Sequence, residues 1–239
     1  MTDEQTEYRA RLAKRDIRAW QPPLPTEDKV KRAGEWMPFY GLTCIAMVDP
    51  ASALYRELGR VQTDLRARLE AIGLGHIYVW LKPETFHMTV CDLIVTGSVS
   101  VAPKRKTELI EQVHSAFEQI GRPGPVRCHP TGLGLKRTIG AMVLFPDPKQ
   151  LDTVIEMERT IKAATGVDMR DFTGHISLAY LVPRPEIPVA QIKEVMLAYQ
   201  CHDFGEFLFD RFDLAAFTDM NTYRPILTKN LVDGTIIRR

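Results

Sequence analysis

The chain has 239 residues, 45% of them hydrophobic and 26% charged, the composition of a folded globular protein rather than a disordered or fibrous one. Its formal net charge of +1 gives no reason to expect a long polyanion such as duplex DNA as partner, although a local basic patch is compatible with it. No apolar run approaches the roughly 18 residues of a membrane span, and the mixed-charge start lacks the apolar core of a signal peptide, so a cytoplasmic protein is expected.

Residues 3–20 read as a charged helix, stopped by Gln21-Pro22-Pro23-Leu24-Pro25 because proline lacks the amide and clashes with the preceding turn. Residues 1–35 are therefore expected to form a helical extension and Pro-rich linker, and 36–239 a single bilobal domain. Phe39 to Val48 reads as a buried strand ended by Asp49-Pro50. Between Ala51 and Ile72, apolar residues recur every three or four positions, the stripe of a helix packed on a sheet.

His76 to Leu81 and Thr85 to Val95 follow as strands, then Thr107 to Ile120 as a second amphipathic helix. Val126 to Leu135 and Ile139 to Phe145 form an expected hairpin, with Lys136-Arg137 at its turn. Lys149 to Thr165 reads as a helix ended by Gly166. A strand over Phe172 to Val182, a helix over Val189 to Tyr199, and a final hairpin of Glu206 to Thr218 with Tyr223 to Leu227 complete the chain. Interleaved strands and helices with several hairpins predict an α+β fold with antiparallel or mixed sheets, helices packed outside and a central cleft.

Two segments share one pattern: Phe86-His87-Met88-Thr89-Val90 and Gly174-His175-Ile176-Ser177-Leu178. Side chains alternate faces along a strand, so His87 and Thr89 share one face, as do His175 and Ser177, while the apolar neighbours pack on the other. A strand and helix precede the first copy, and a hairpin and helix the second, which points to a duplicated lobe. A single His-x-hydroxyl triplet is a common accident; two in matching strands predict one imidazole and one hydroxyl from each lobe in a shared cleft.

On these motifs the sequence resembles the 2H phosphoesterases, the LigT-like superfamily with two His-x-[Thr/Ser] motifs, over roughly residues 36 to 230, and most closely an uncharacterised bacterial branch. The resemblance implies a bilobal α+β fold and phosphodiester chemistry without a metal or other cofactor. The substrate class is a cyclic phosphate, nucleotide or RNA end. Hydrolysis is the expected reaction; the alternatives are 2′-5′ RNA end joining and a non-catalytic nucleotide- or RNA-binding module.

The residue types fit that chemistry. Histidine titrates near pH 6.5, so one imidazole can remove a proton while the other delivers one. Thr89 and Ser177 can donate hydrogen bonds to phosphate oxygens where charge builds. Tyr223 and Arg224, at the start of the last strand, are candidates for stacking and phosphate contact, with surface packing as the alternative.

Other signals are read as structural. Lys136-Arg137 is an exposed turn, Gly132-Leu133-Gly134 a turn or bulge, and Tyr180 alternates onto the apolar face. The four cysteines lack CxxC spacing and read as reduced thiols. His76, His114, His129 and His202 lack the hydroxyl partner, and the adjacent pairs Cys128-His129 and Cys201-His202 do not match zinc spacing. A metal set of His87, Asp92 and His175 is disfavoured because Asp92, five residues from His87, alternates to the opposite face unless a bulge intervenes.

Overall fold

The computed structural model describes residues 3–23, 28–168 and 171–239. Among these are five α-helices and ten strands joined edge to edge in an open antiparallel sheet. The helices are α1 (Asp3–Ala13), α2 (Ala53–Ala71), α3 (Pro103–Ile120), α4 (Pro148–Thr165) and α5 (Val189–Leu197). The strands are β1 (Tyr40–Met47), β2 (Tyr78–Trp80), β3 (His87–Gly97), β4 (Val126–Leu135), β5 (Thr138–Leu144), β6 (His175–Leu181), β7 (Phe207–Phe209), β8 (Arg211–Asp219), β9 (Thr222–Asn230) and β10 (Ile236–Arg238).

The expected elements are present, with shifted ends. The last expected strand before the hairpin turn is broken into β7 and β8, and β10 adds a C-terminal strand that the sequence pattern does not signal. Among the described residues no helix is long and apolar enough to cross a membrane.

Strand order is β10-β9-β8-β1-β3-β6-β5-β4-β7, with β2 also paired to β6. The sheet thus has two halves, and the motif strands β3 and β6 meet at the seam through one registered pair, Met88 opposite Ile176. Each half repeats a strand-helix-strand unit, β1-α2-β3 and β5-α4-β6, in which the outer strands pair antiparallel.

Two of the helices begin on side-chain caps: Ser52 accepts from the Tyr55 amide, and Asp147, just before Pro148, accepts from the Lys149 amide. They also cross the seam. Helix α4 of the second unit lies on β3, while α2 of the first reaches β6, where the buried Gln62 amide donates to the carbonyls of Leu178 and Leu81. The apolar residues of the motif strands, Met88, Val90, Ile176 and Leu178, are buried on this helical side in one continuous core. Burying four such side chains contributes on the order of 6–12 kcal/mol of transfer free energy, which fixes the face on which their neighbours must emerge.

The N-terminal segment packs on this body rather than hanging from it. Helix α1 ends at Ala13, and residues 14–20 run as turns along the β4-β5 hairpin. Tyr8, Ile17 and Trp20 are in the main core, and the Trp20 indole donates to the Lys136 carbonyl at 2.9 Å. Leu24 and Pro25 of the expected linker lie outside the described residues. Residues 28–36 then return to the sheet, Val30 bridging to Trp36.

Candidate active site

The two motif strands present matching sets of side chains to the face opposite the helices. In the first unit Met47 pairs with His87, Ile45 with Thr89 and Thr43 with Asp92. In the second, Met142 pairs with His175, Gly140 with Ser177 and Thr138 with Tyr180. Because Met88 faces Ile176 across the antiparallel seam, one step along each strand sets His87 level with Ser177 and Thr89 level with His175. The structure therefore brings all four motif residues to one face.

Both units carry the same irregularity. The register slips between Thr89 and Cys91, and again between Ser177 and Ala179, so that Val90-Cys91 and Leu178-Ala179 are apolar doublets buried together where strict alternation allows one residue. A β-bulge of this kind adds one residue and restores the original face three positions later. Asp92 and Tyr180 are thereby turned onto the face of the histidines. This corrects two expectations: Tyr180 is not on the apolar side, and Asp92 is not turned away from His87. The signal was present in each apolar doublet.

Each imidazole is held identically. His87 Nδ1 lies 2.7 Å from the Thr85 carbonyl, and His175 Nδ1 lies 2.8 Å from the Thr173 carbonyl. A carbonyl only accepts, so Nδ1 carries the proton in both rings and Nε2 is the atom offered to the cleft. Both rings are half-buried.

The surroundings differ. Burial lowers the His87 pKa, opposed by the Thr85 carbonyl and the Asp92 carboxylate, with Lys29 acting in the same sense as burial. His175 is lowered much further, to about 3, by burial first and then by the Arg15 guanidinium, with His87 and Lys29 adding to the effect and the Thr173 carbonyl opposing it. Arg15 reaches the site from the turn after α1: Nη2 is 3.1 Å from His175 Nε2, and Nη1 donates to Thr138 Oγ1 at 3.3 Å. The charged group that bears most on the first unit's histidine is instead an acid, Asp92, which accepts from Thr43 Oγ1 at 3.0 Å.

Aromatic rings wall the cleft. Tyr223 packs against His87 with ring centroids 4.6 Å apart, and burial raises its phenol well above the ordinary range. Trp36 meets Tyr180 edge-on at 5.6 Å, and Lys29 Nζ lies 5.3 Å from the Tyr180 ring centre. Arg224 is not part of this assembly. It pairs with Ala216 where Tyr223 pairs with Phe217, so it projects to the other face of β9, where it is exposed. Beside His87 a cavity of about 260 Å³ opens between Met47, Thr85, Asn221 and Tyr223.

Three of the histidines outside the motifs have acidic partners of their own. His129 pairs with Asp203, His202 with Glu57 and His114 with Glu118. Cys44, Cys91, Cys128 and Cys201 are all free thiols. Among the described residues no group of three His, Cys, Asp or Glu side chains converges as a metal site. Arg137 at the hairpin turn pairs with Asp28 at 2.6 Å. Gly132, with φ +71, sits at a bulge in β4, and a Cβ on Gly134 would lie 2.9 Å from the Arg15 Cβ, so glycine there lets the N-terminal segment approach.

No protein-family model matches the chain, and no curated protein matches it. Among solved structures it is similar to a conserved Agrobacterium tumefaciens protein of unknown function, with a TM-score of 0.63 at 14% identity over 98% of this chain and 100% of that one. It is also similar to E. coli LigT complexed with 3′-AMP, TM-score 0.53 at 13% identity over 81% of this chain and 99% of LigT. A Thermus thermophilus protein gives a TM-score of 0.53 at 17% identity over 80% of this chain and 97% of its own. The chain has a LigT-like fold.

Proposed function

We propose that this chain is a metal-independent phosphoesterase in which His87 and His175 act as paired acid and base on a cyclic phosphate, nucleotide or RNA-end phosphodiester. The observation that carries the reading is the doubled geometry: two imidazoles, each with Nδ1 locked to a carbonyl and Nε2 offered to one cleft, each level with the other strand's hydroxyl.

The electrostatic difference between the units supports a division of labour. His175, held neutral beside Arg15, suits the base that takes a proton from water. The resulting hydroxide oxygen forms a bond to phosphorus as the bond from phosphorus to the leaving ribose oxygen breaks. His87, which burial lowers less because the Thr85 carbonyl and the Asp92 carboxylate oppose it, is the more readily protonated of the two and suits the acid that gives that oxygen its proton. Thr89 and Ser177 are positioned to donate to the non-bridging oxygens. The cavity between Met47, Asn221 and Tyr223 lies on the side of His87 and fits the leaving nucleoside, in keeping with the nucleotide bound to LigT.

The test is turnover by purified, EDTA-treated protein against 2′,3′-cyclic nucleotides, linear 2′-5′ and 3′-5′ dinucleotides, and ADP-ribose cyclic phosphates. Hydrolysis of one class, surviving chelation and lost in His87→Ala, is the expected result. Activity abolished by chelation and restored by zinc or manganese overturns the mechanism, and tight binding without turnover of any of them overturns the catalytic reading.

A further inference from the structure

Resting on that reading, the source of positive charge in the cleft becomes a question. A phosphodiester is an anion, and burying it without a cation costs several kcal/mol. The cleft-facing positions of the doubled unit are Thr43, Ile45, Met47, His87, Thr89 and Asp92 on one side, and Thr138, Gly140, Met142, His175, Ser177 and Tyr180 on the other. None of them is Lys or Arg, and one is a carboxylate. Neither imidazole supplies a standing charge, since both are shifted toward the neutral form.

The cations that reach this face come from outside the duplicated sheet. Arg15 lies on His175 and Thr138, and Lys29 lies over Tyr180 and Phe39. Both belong to the N-terminal segment. Arg15 is 8% exposed, and its backbone is fixed on both sides: its amide donates to the Leu12 carbonyl, and its carbonyl accepts from the Leu135 amide at 2.9 Å. A buried arginine with its fork aimed at a catalytic imidazole and a threonine hydroxyl has the planar two-point geometry that matches two oxygens of a phosphate.

We propose that the N-terminal segment completes the active site, with Arg15 as the phosphate-binding cation and Lys29 as its auxiliary. The guanidinium transfers its two hydrogen bonds from His175 Nε2 and Thr138 Oγ1 to the non-bridging oxygens of the bound anion. The transfer has a consequence for the base. In the unliganded cleft the His175 lone pair is engaged by Arg15, and an arriving phosphodiester that draws the guanidinium away leaves that lone pair to water. Substrate binding and activation of the base are then one event. Among the described residues, the charged and titratable groups that bear on His175 are Arg15 and Lys29 from the N-terminal segment and His87 from β3.

The experiment uses the full chain as wild type, Arg15→Met, Arg15→Lys and Lys29→Met, each checked for a cooperative melt. Binding of inorganic phosphate is measured by calorimetry, and the titration of the His87 and His175 ring protons by NMR. In Arg15→Met, phosphate affinity falls by about tenfold or more and His175 titrates at higher pH, closer to His87. Arg15→Lys keeps the charge without the fork and loses less; Lys29→Met loses less still.

Should Arg15→Met fail to fold, Arg15→Lys decides: affinity within about twofold of wild type there, with an unmoved His175 titration, overturns the proposal, as does the same result in a folded Arg15→Met. These readouts need no substrate. Arg15-dependent phosphate binding in a protein that turns nothing over would sink the enzymatic reading alone, whereas full turnover by the Arg15 variants with unchanged KM and pH profile would sink the role of Arg15 alone.

Discussion

The β1-β3 and β5-β6 units differ far less in backbone than in charge. Both hold an imidazole by its Nδ1, both follow it with a hydroxyl residue two positions on, and both bulge at the same place. The slots after the bulge diverge. The first unit has Asp92 bonded to Thr43; the second has Tyr180 beside a Thr138 that receives Arg15 from another part of the chain. Ile45 in one unit is Gly140 in the other. Duplication thus supplies two equivalent nitrogens, and substitutions around them lower the proton affinity of one much further than that of the other. A reaction that needs one acid and one base gains from that divergence, because it favours one of the two singly protonated forms of the pair.

The comparison breaks first at the imidazoles. His87→Ala and His175→Ala should each lower kcat by about 10² to 10⁴, and the double variant should be little worse than either single one, because the pair acts as a unit. Steady-state kinetics on a responsive substrate checks this; a folded single variant with near wild-type kcat would remove the pairing. Next come the hydroxyls. Thr89→Ala and Ser177→Ala should each cost less than the imidazoles, up to about 10²-fold in kcat, and by similar factors if the units are equivalent in binding phosphate.

Asp92→Asn sharpens the comparison at lower amplitude. Removing the carboxylate removes what favours the His87 cation, so the His87 pKa falls and the alkaline limb of kcat/KM moves to lower pH, slowing the enzyme a few-fold near pH 7. An unmoved limb would exclude His87 as the acid.

The smallest effect is on stability. With a folded pKa of about 3 against about 6.5 unfolded, His175 contributes stability that is fully present above pH 6.5 and is lost as pH falls toward 3. Thermal melts at about pH 7.5 and about pH 4.5 should therefore show a larger drop in Tm for the wild type than for His175→Asn.

What could be read from the chain follows from periodicity. The i, i+2 alternation around His87 and His175 is a local pattern, and it specifies which side chains share a face. Asp92 and Tyr180 escaped it because a bulge breaks the count, and neither bulge is marked by Gly or Pro; each is marked by a second apolar residue, Cys91 or Ala179. Arg224 was misplaced by one residue of alternation, since Tyr223 takes the cleft side of β9. Arg15 was out of reach for a different reason. Its place depends on contacts more than a hundred residues away, with Thr138 and His175, and a charged stretch before several prolines reads as solvent-facing when those contacts are unseen.

The helices that cross the seam have a consequence for how much of this chain can stand alone. Each half carries the motif strand of its own cleft wall, but α4 packs on β3 of the first half, and α2 anchors the second half at Leu178. An excised half would keep its histidine and lose the support beneath it, exposing the apolar side of the strand that orients the ring. Neither copy is expected to fold alone, and the two should unfold in a single cooperative transition. A split or circularly permuted chain would retain the cleft only if both helices remain attached to the same assembled body.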